Sequence, residues 1–303
     1  MKIAPIQSYA NTNMFEAVLA SQALALRPHC TYHSQAHPRQ FLQTVVDILE
    51  FLKDNGAFEQ FGFTDESWLI FQNTMVVNAV FHDIVFDLNE NNTPSVLNEE
   101  LSLSSAYQWL NAYPDLIRYA PYALEKSMLH TKVTFDPSNG VVASPIFDGT
   151  DIHKLAQLVS EIGDKIHLLS FEEDLQVEEL FNHGFEDNLR LYIEMQLRKP
   201  EFIGNREACY NFVRDLMNSD QLEAVFCKVT EMMYNYFDKS VLFHVRQKTE
   251  FESFAAKPSV AQMLNMIYYQ YSQLSEFTKV VHNTNDGDLT KLYLAKILAE
   301  YDQ

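Results

Sequence analysis

The stretch from Trp68 to Phe86 constrains this chain more than any other. Trp68-Leu-Ile-Phe-Gln-Asn-Thr-Met-Val-Val-Asn-Ala-Val-Phe81 is apolar over most of a helical circumference, interrupted at Gln72, Asn73 and Asn78. A helix of that kind belongs at the centre of a fold, since no face of it is suited to water. The spacing predicts a helix from Trp68 to about Phe86, introduced by a capping-type Thr64-Asp-Glu-Ser67. Its far end, Ala79-Val-Phe-His-Asp-Ile-Val-Phe-Asp87, sets His82 and Asp83 among apolar neighbours. Buried polar groups need partners. A divalent metal ion is one partner suited to an imidazole beside a carboxylate, and a satisfied histidine with a capping aspartate is the other reading.

A central helix needs neighbours of the same kind, and the chain supplies them. Phe15, Val18, Leu19, Ala23 and Leu26 predict a helix over 13–26, stopped by Arg27-Pro28. Pro38 suits a helix's first turn, and Phe41, Leu42, Val45, Val46, Ile48, Leu49 and Leu52 carry that helix to about Lys53. Further helical spacing covers Asn98 to Leu110, Tyr122 to His130, Ile152 to Leu168, Glu178 to Arg198 and Asn205 to Met217. About three more segments follow from Asp220, with breaks expected near Asp238, Lys257-Pro258 and Asn283 to Gly287. With only 8 glycines in 303 residues, a turn-rich β fold is disfavoured. The fold class expected is all-α, with a small hairpin near 133–147 around Asp136-Pro-Ser-Asn-Gly140.

The net charge of -19 argues against general nucleic-acid binding, because an acidic surface repels a phosphate backbone. It leaves a small phosphate substrate open, since a bound cation reverses the local field. No polybasic run or membrane-length apolar run occurs. The three cysteines, Cys30, Cys209 and Cys227, are far apart and form no CxxC, so no disulfide framework is expected. No signal-peptide core follows Met1, and a cytoplasmic location is the expectation.

Candidate site residues recur in a definite order. Tyr32-His33-x-x-x-His37 comes first, and His33 and His37, four apart, could share an ion on one helical turn. Phe81-His82-Asp83 and Asp87 follow, then Asn98-Glu99-Glu100-x-Ser102, His130, and Asp174-Leu175 at the end of an acidic cluster. Each has an ordinary alternative: loop histidines, acids favouring a helix N-terminus, a solvated acidic run.

That order and spacing resembles the HD superfamily of metal-dependent phosphohydrolases. More narrowly, it resembles a bacterial subgroup of predicted HD phosphohydrolases with Tyr-His-Asn-x-x-His, His-Asp and Asn-Glu-x-x-Ser motifs. The likeness runs over about residues 10 to 217 and includes Arg190-Leu-Tyr192 and Phe202-Ile-Gly-Asn-Arg206. It departs from the pattern where Glu172 replaces an aspartate, where Pro38 follows His37, and where Asn205 splits the Gly-Arg ending. The resemblance implies that His37, His82, Asp83 and Asp174 ligate one divalent ion (Mn, Fe, Ni, Co, Zn or Mg). His130 would serve a second ion or the phosphate. It implies Asp83, Glu99 and His130 as catalytic groups, and His33, Arg190 and Arg206 as substrate contacts. An HD-type domain over 1–218 and a C-terminal helical extension over 219–303 are expected. The function implied is hydrolysis of a phosphate ester or anhydride by metal-activated water; the alternative is an inactive HD-fold binding or scaffold protein.

Overall fold

The computed structural model describes residues 13–89, 91, 94–112, 118–132, 134–136, 141–143, 148–165, 176–250, 254 and 256–302. Among them the fold is all-α, with twelve α-helices and one two-stranded antiparallel hairpin. The strands β1 (Thr134–Asp136) and β2 (Val141–Ala143) pair with Phe135 opposite Val142, where a hairpin was expected.

The backbone falls into two compact units. The first comprises Met1–Ser21, Gln35–His167 and Phe251–Met263; the second comprises Gln22–Ser34, Leu168–Glu250 and Leu264–Gln303. This division differs from the expected boundary at 218. The helices just before that position pack with helices after it inside the second unit.

In the first unit α1 (Asn13–Ser21) is shorter than its apolar pattern, and the chain turns from Gln22 on. Helix α2 (Ala36–Asp54) follows, with Pro38 in its first turn and Phe41, Leu42, Val45, Ile48, Leu49 and Leu52 buried along one face. Each such side chain contributes roughly 1.5–3 kcal/mol on leaving water. A single turn, α3 (Ala57–Gln60), leads to α4 (Asp65–Phe81). Thr64 and Ser67 form a reciprocal capping box at its start, as the sequence predicts. Helix α4 is buried almost throughout from Phe71 to Phe81, so it is the central helix of this unit. Helices α5 (Asn98–Ala112), α6 (Pro121–His130) and α7 (Asp151–Lys165) surround it. Trp68, Phe63, Phe58 and Phe71 form an aromatic cluster at the other end, and Phe254 joins it through Phe61.

In the second unit α8 (Val177–Leu197) buries Phe181, Phe185, Leu189, Ile193 and Leu197, one every fourth residue. Phe185 lies 5.3 Å from Phe226 on α10 (Leu222–Glu250) and 6.0 Å from Tyr293 on α12 (Gly287–Tyr301), ring centre to ring centre. Helix α9 (Arg206–Met217), capped by the Asn205 side chain, belongs here too, as does α11 (Pro258–Val281) from Leu264 on. The breaks expected at Lys257-Pro258 and before Gly287 are present, but α10 passes through Asp238 without one. No described helix is long and apolar enough to cross a membrane.

Candidate metal centre

Helix α4 ends at Phe81, five residues short of its apolar pattern, and His82 is its C-cap. The chain leaves the helix here because its backbone finds other partners. The Val85 N–H donates to Ser102 Oγ at 3.1 Å, and the Asp87 N–H donates to Asn98 Oδ1 at 3.0 Å. The His-Asp pair therefore stands at the open end of the central helix rather than along its side.

Three elements converge on that end. His37, in the first turn of α2, places its Nε2 3.0 Å from His82 Nε2. Asp83 Oδ2 lies 3.1 Å from His82 Nε2 and 3.4 Å from His37 Nε2. Asp164 Oδ1, from the last turn of α7, lies 3.2 Å from His37 Nε2 and 3.5 Å from His82 Nε2. Each residue offers one ligand atom, all within 4.8 Å of one another. Both histidines are buried and both carboxylates partly so. The His82 Nδ1–H donates to the Ala79 carbonyl at 3.0 Å, so the lone pair of Nε2 faces inward. Two imidazole nitrogens and two carboxylate oxygens on one point suit a divalent ion. Asp164 and His82 also sit at helix C-termini, whose partial negative charge favours a cation.

The same groups perturb one another strongly. Burial by itself would push the His82 pKa down, but the charge of Asp83 and hydrogen bonds donated to Asp164 and Asp83 raise it to about 10. His37 is likewise opposed by burial and lifted by Asp164 and Asp83. Burial would raise Asp164, yet its hydrogen bonds to His37 and His82 hold it far below the usual carboxylate range. Opposed charges this close bind either protons or a metal ion.

Packing sets the geometry. Phe41, one turn after His37 on α2, meets the His82 ring edge-on at 4.6 Å. Phe41 also lies against Gly163, where an added Cβ would clash with Phe41 Cε2. The missing side chain lets α7 approach α2 closely enough for Asp164, the next residue, to reach the site. A buried polar chain ties the surrounding helices: Asn78 donates to Ser160 Oγ, and Ser160 donates to the Ser127 carbonyl at 3.1 Å.

Of the expected ligands, His37, His82 and Asp83 come together. Asp174 lies outside the described residues; among these, the second carboxylate of the set is Asp164, ten positions earlier in the chain. The sequence signal for it is a glycine inside a helical pattern, a mark of close helix packing. Glu99 lies in the first turn of α5, where Asp83 influences it. Its neighbour Glu100 pairs with Lys132 at 2.8 Å. His130 Nε2 lies 3.3 Å from Glu161 Oε2 on α7, both buried, and is not among the clustered ligands.

The three expected substrate contacts have internal partners in the second unit. His33 precedes α2, so it shares no helical turn with His37. Its Nδ1–H donates to Glu194 Oε1 at 2.6 Å, and the Tyr32 and His33 backbone N–H groups donate to Glu194 Oε2. Burial opposes ionisation of Glu194, but His33 and Arg198 outweigh it and hold the pKa to about 2. Arg190 is buried and donates to Glu186 and Glu300, and Arg206 donates to the Tyr301 carbonyl at the end of α12. These are fold-building contacts, which the residue types alone did not distinguish from phosphate contacts. Compared with protein-family models, curated proteins and solved structures, the chain matches none.

Proposed function

We propose that this protein is a metal-dependent phosphohydrolase of HD type. The observation that carries the reading is the convergence of His37, His82, Asp83 and Asp164 on one point. The motif order His…His-Asp…Asp, by which the sequence resembles the HD superfamily, is met by this set with Asp164 in the closing place. The four residues would hold one divalent ion. Their mixed nitrogen and oxygen donors favour a first-row transition metal such as Mn, Fe, Co, Ni or Zn over Mg, which prefers oxygen.

A divalent ion there supplies Lewis acidity toward a phosphoryl oxygen and makes a water acidic near neutral pH. The chain's own residues supply the rest. Ala79 fixes the His82 tautomer, so that Nε2 stays a donor of its lone pair. Asp83 and Asp164 are both partly exposed, so the two carboxylates form the solvent side of the set. Phe41 seals the inner side against water. Lys132, paired with Glu100, is a cation whose field reaches Glu99.

Metal analysis of the purified protein is the first test. One equivalent of a transition metal is expected in the native chain, and less than a tenth of that in Asp83→Ala and His82→Ala. Unchanged metal content in both variants would sink the site. A screen of phosphate esters and nucleotides with Mn, Co, Ni and Mg then tests turnover, which Asp83→Ala should lower by at least about a hundredfold.

A further inference from the structure

Helices α4 and α7 face each other through two polar rungs. The outer rung lies in the ion site: His82 Nε2 and Asp164 Oδ1 are 3.5 Å apart. The inner rung is Asn78, whose Nδ2–H donates to Ser160 Oγ. On each helix the two residues are four apart, so they share one face, a single turn from each other. On α4 that turn is closed by the His82 N–H, which donates to the Asn78 carbonyl at 2.9 Å. Whatever holds Asn78 against Ser160 therefore decides where the next turn of α7 puts Asp164.

Ser160 is itself held from a third helix. Its hydroxyl donates to the Ser127 carbonyl on α6 at 3.1 Å. That carbonyl is open because α6 is ending: the Thr131 N–H donates to the Met128 carbonyl at 3.2 Å instead. With its proton given to Ser127, Ser160 Oγ accepts from Asn78, which turns the N–H side of the amide toward α7. Asn78 Oδ1 is then left without a hydrogen bond among the described residues. Asn78, Ser127 and Ser160 are all fully buried. A leucine of the same shape as Asn78 would avoid the unpaired oxygen. What the amide adds is register. Apolar faces can meet in several ways, whereas a buried donor is satisfied only opposite its acceptor. A slip of one residue would turn α7 by about 100° and carry Asp164 off the site.

Resting on the metal-site reading above, we propose that Asn78 and Ser160 are positioning residues for the ion. Anchored on the Ser127 carbonyl, they fix the register of α7 on α4 and so deliver Asp164 to His37 and His82. Neither residue touches the ion or the substrate in this role; both act through Asp164.

That last point separates positioning from general support of the fold. Full-length protein stripped with chelator would be titrated with Co²⁺, and the visible spectrum would give the affinity. Ser160→Ala should bind Co²⁺ about tenfold more weakly than native protein, or weaker still, and its visible band should move toward that of Asp164→Ala. The double variant Ser160→Ala with Asp164→Ala should bind no more weakly than Asp164→Ala alone, since no ligand is left to misplace. Asn78→Ala breaks the rung but spares the Ser160–Ser127 bond, and it should repeat the pattern even where Ser160→Ala does not fold. Native affinity in Asn78→Ala would overturn the proposal. So would a loss by the same factor with and without Asp164, which would mark a general loosening of the first unit. Native affinity in Asp164→Ala, or no Co²⁺ bound by the native protein, would overturn the metal-site reading itself, and the positioning role with it.

Discussion

At the scale of single residues, the four clustered groups compete for protons, and a metal ion bound as proposed would compete with those protons. His82 is held at about 10 in the ion-free protein against an ordinary 6.5. A raised imidazole pKa stabilises the fold fully below about pH 6.5, and that contribution fades as pH climbs toward 10. Asp164 has the opposite sign: held below its ordinary value, it stabilises above the usual carboxylate range and loses that as pH falls. An ion needs the imidazoles deprotonated, so its contribution grows with pH. Melting temperatures with chelator and with Mn²⁺, measured between about pH 6 and 9, should therefore diverge as pH rises. Parallel curves would show that these histidines do not ligate the metal. Gly163→Ala is the second residue-scale prediction. In an exposed helix interior this change stabilises by about 0.5–1 kcal/mol. Against the Phe41 ring, overpacking costs about 1–3 kcal/mol and wins. Denaturant titration should show that net loss, and metal affinity should fall as α7 is pushed from α2.

At the scale of elements, the helix starts are local and the helix ends are not. The Thr64–Ser67 box is legible in the sequence because its partners are three residues apart. Thr64→Ala should cost about 1 kcal/mol in chemical denaturation and leave metal content unchanged. The end of α4 could not be read, since the apolar pattern runs on to Phe86. What stops the helix is Asn98 and Ser102, 11 and 17 residues away from the groups they bind. The same distinction explains the site. His37 was legible from the proline beside it, and His82-Asp83 from polarity in an apolar run. Asp164 was not, because its arrival depends on α7 pressing against α2 at Gly163. Arg190 and Arg206 looked like phosphate contacts, since a guanidinium suits carboxylate, carbonyl and phosphate oxygens alike. Only the fold shows which acceptor each one found.

At the scale of the whole molecule, all four candidate ligands belong to the first unit, although they span residues 37 to 164. Ion binding should therefore report on that unit. In hydrogen exchange, chelation should speed exchange in α2, α4 and α7 and leave the Phe185–Phe226–Tyr293 core of the second unit at its native rate. Uniform acceleration across both would show that the two unfold as one. The chain order of the units has a further consequence. Residues 22–34 belong to the second unit, the chain then builds most of the first, and 251–263 return to it after a long stretch of the second. During synthesis the first unit cannot be completed until Phe254 has left the ribosome to join its aromatic cluster through Phe61. The second waits longer still, for Tyr301, whose hydroxyl donates to the Pro28 carbonyl. A nascent chain of this kind carries open apolar faces until Tyr301 has emerged, and chaperone engagement should persist until then.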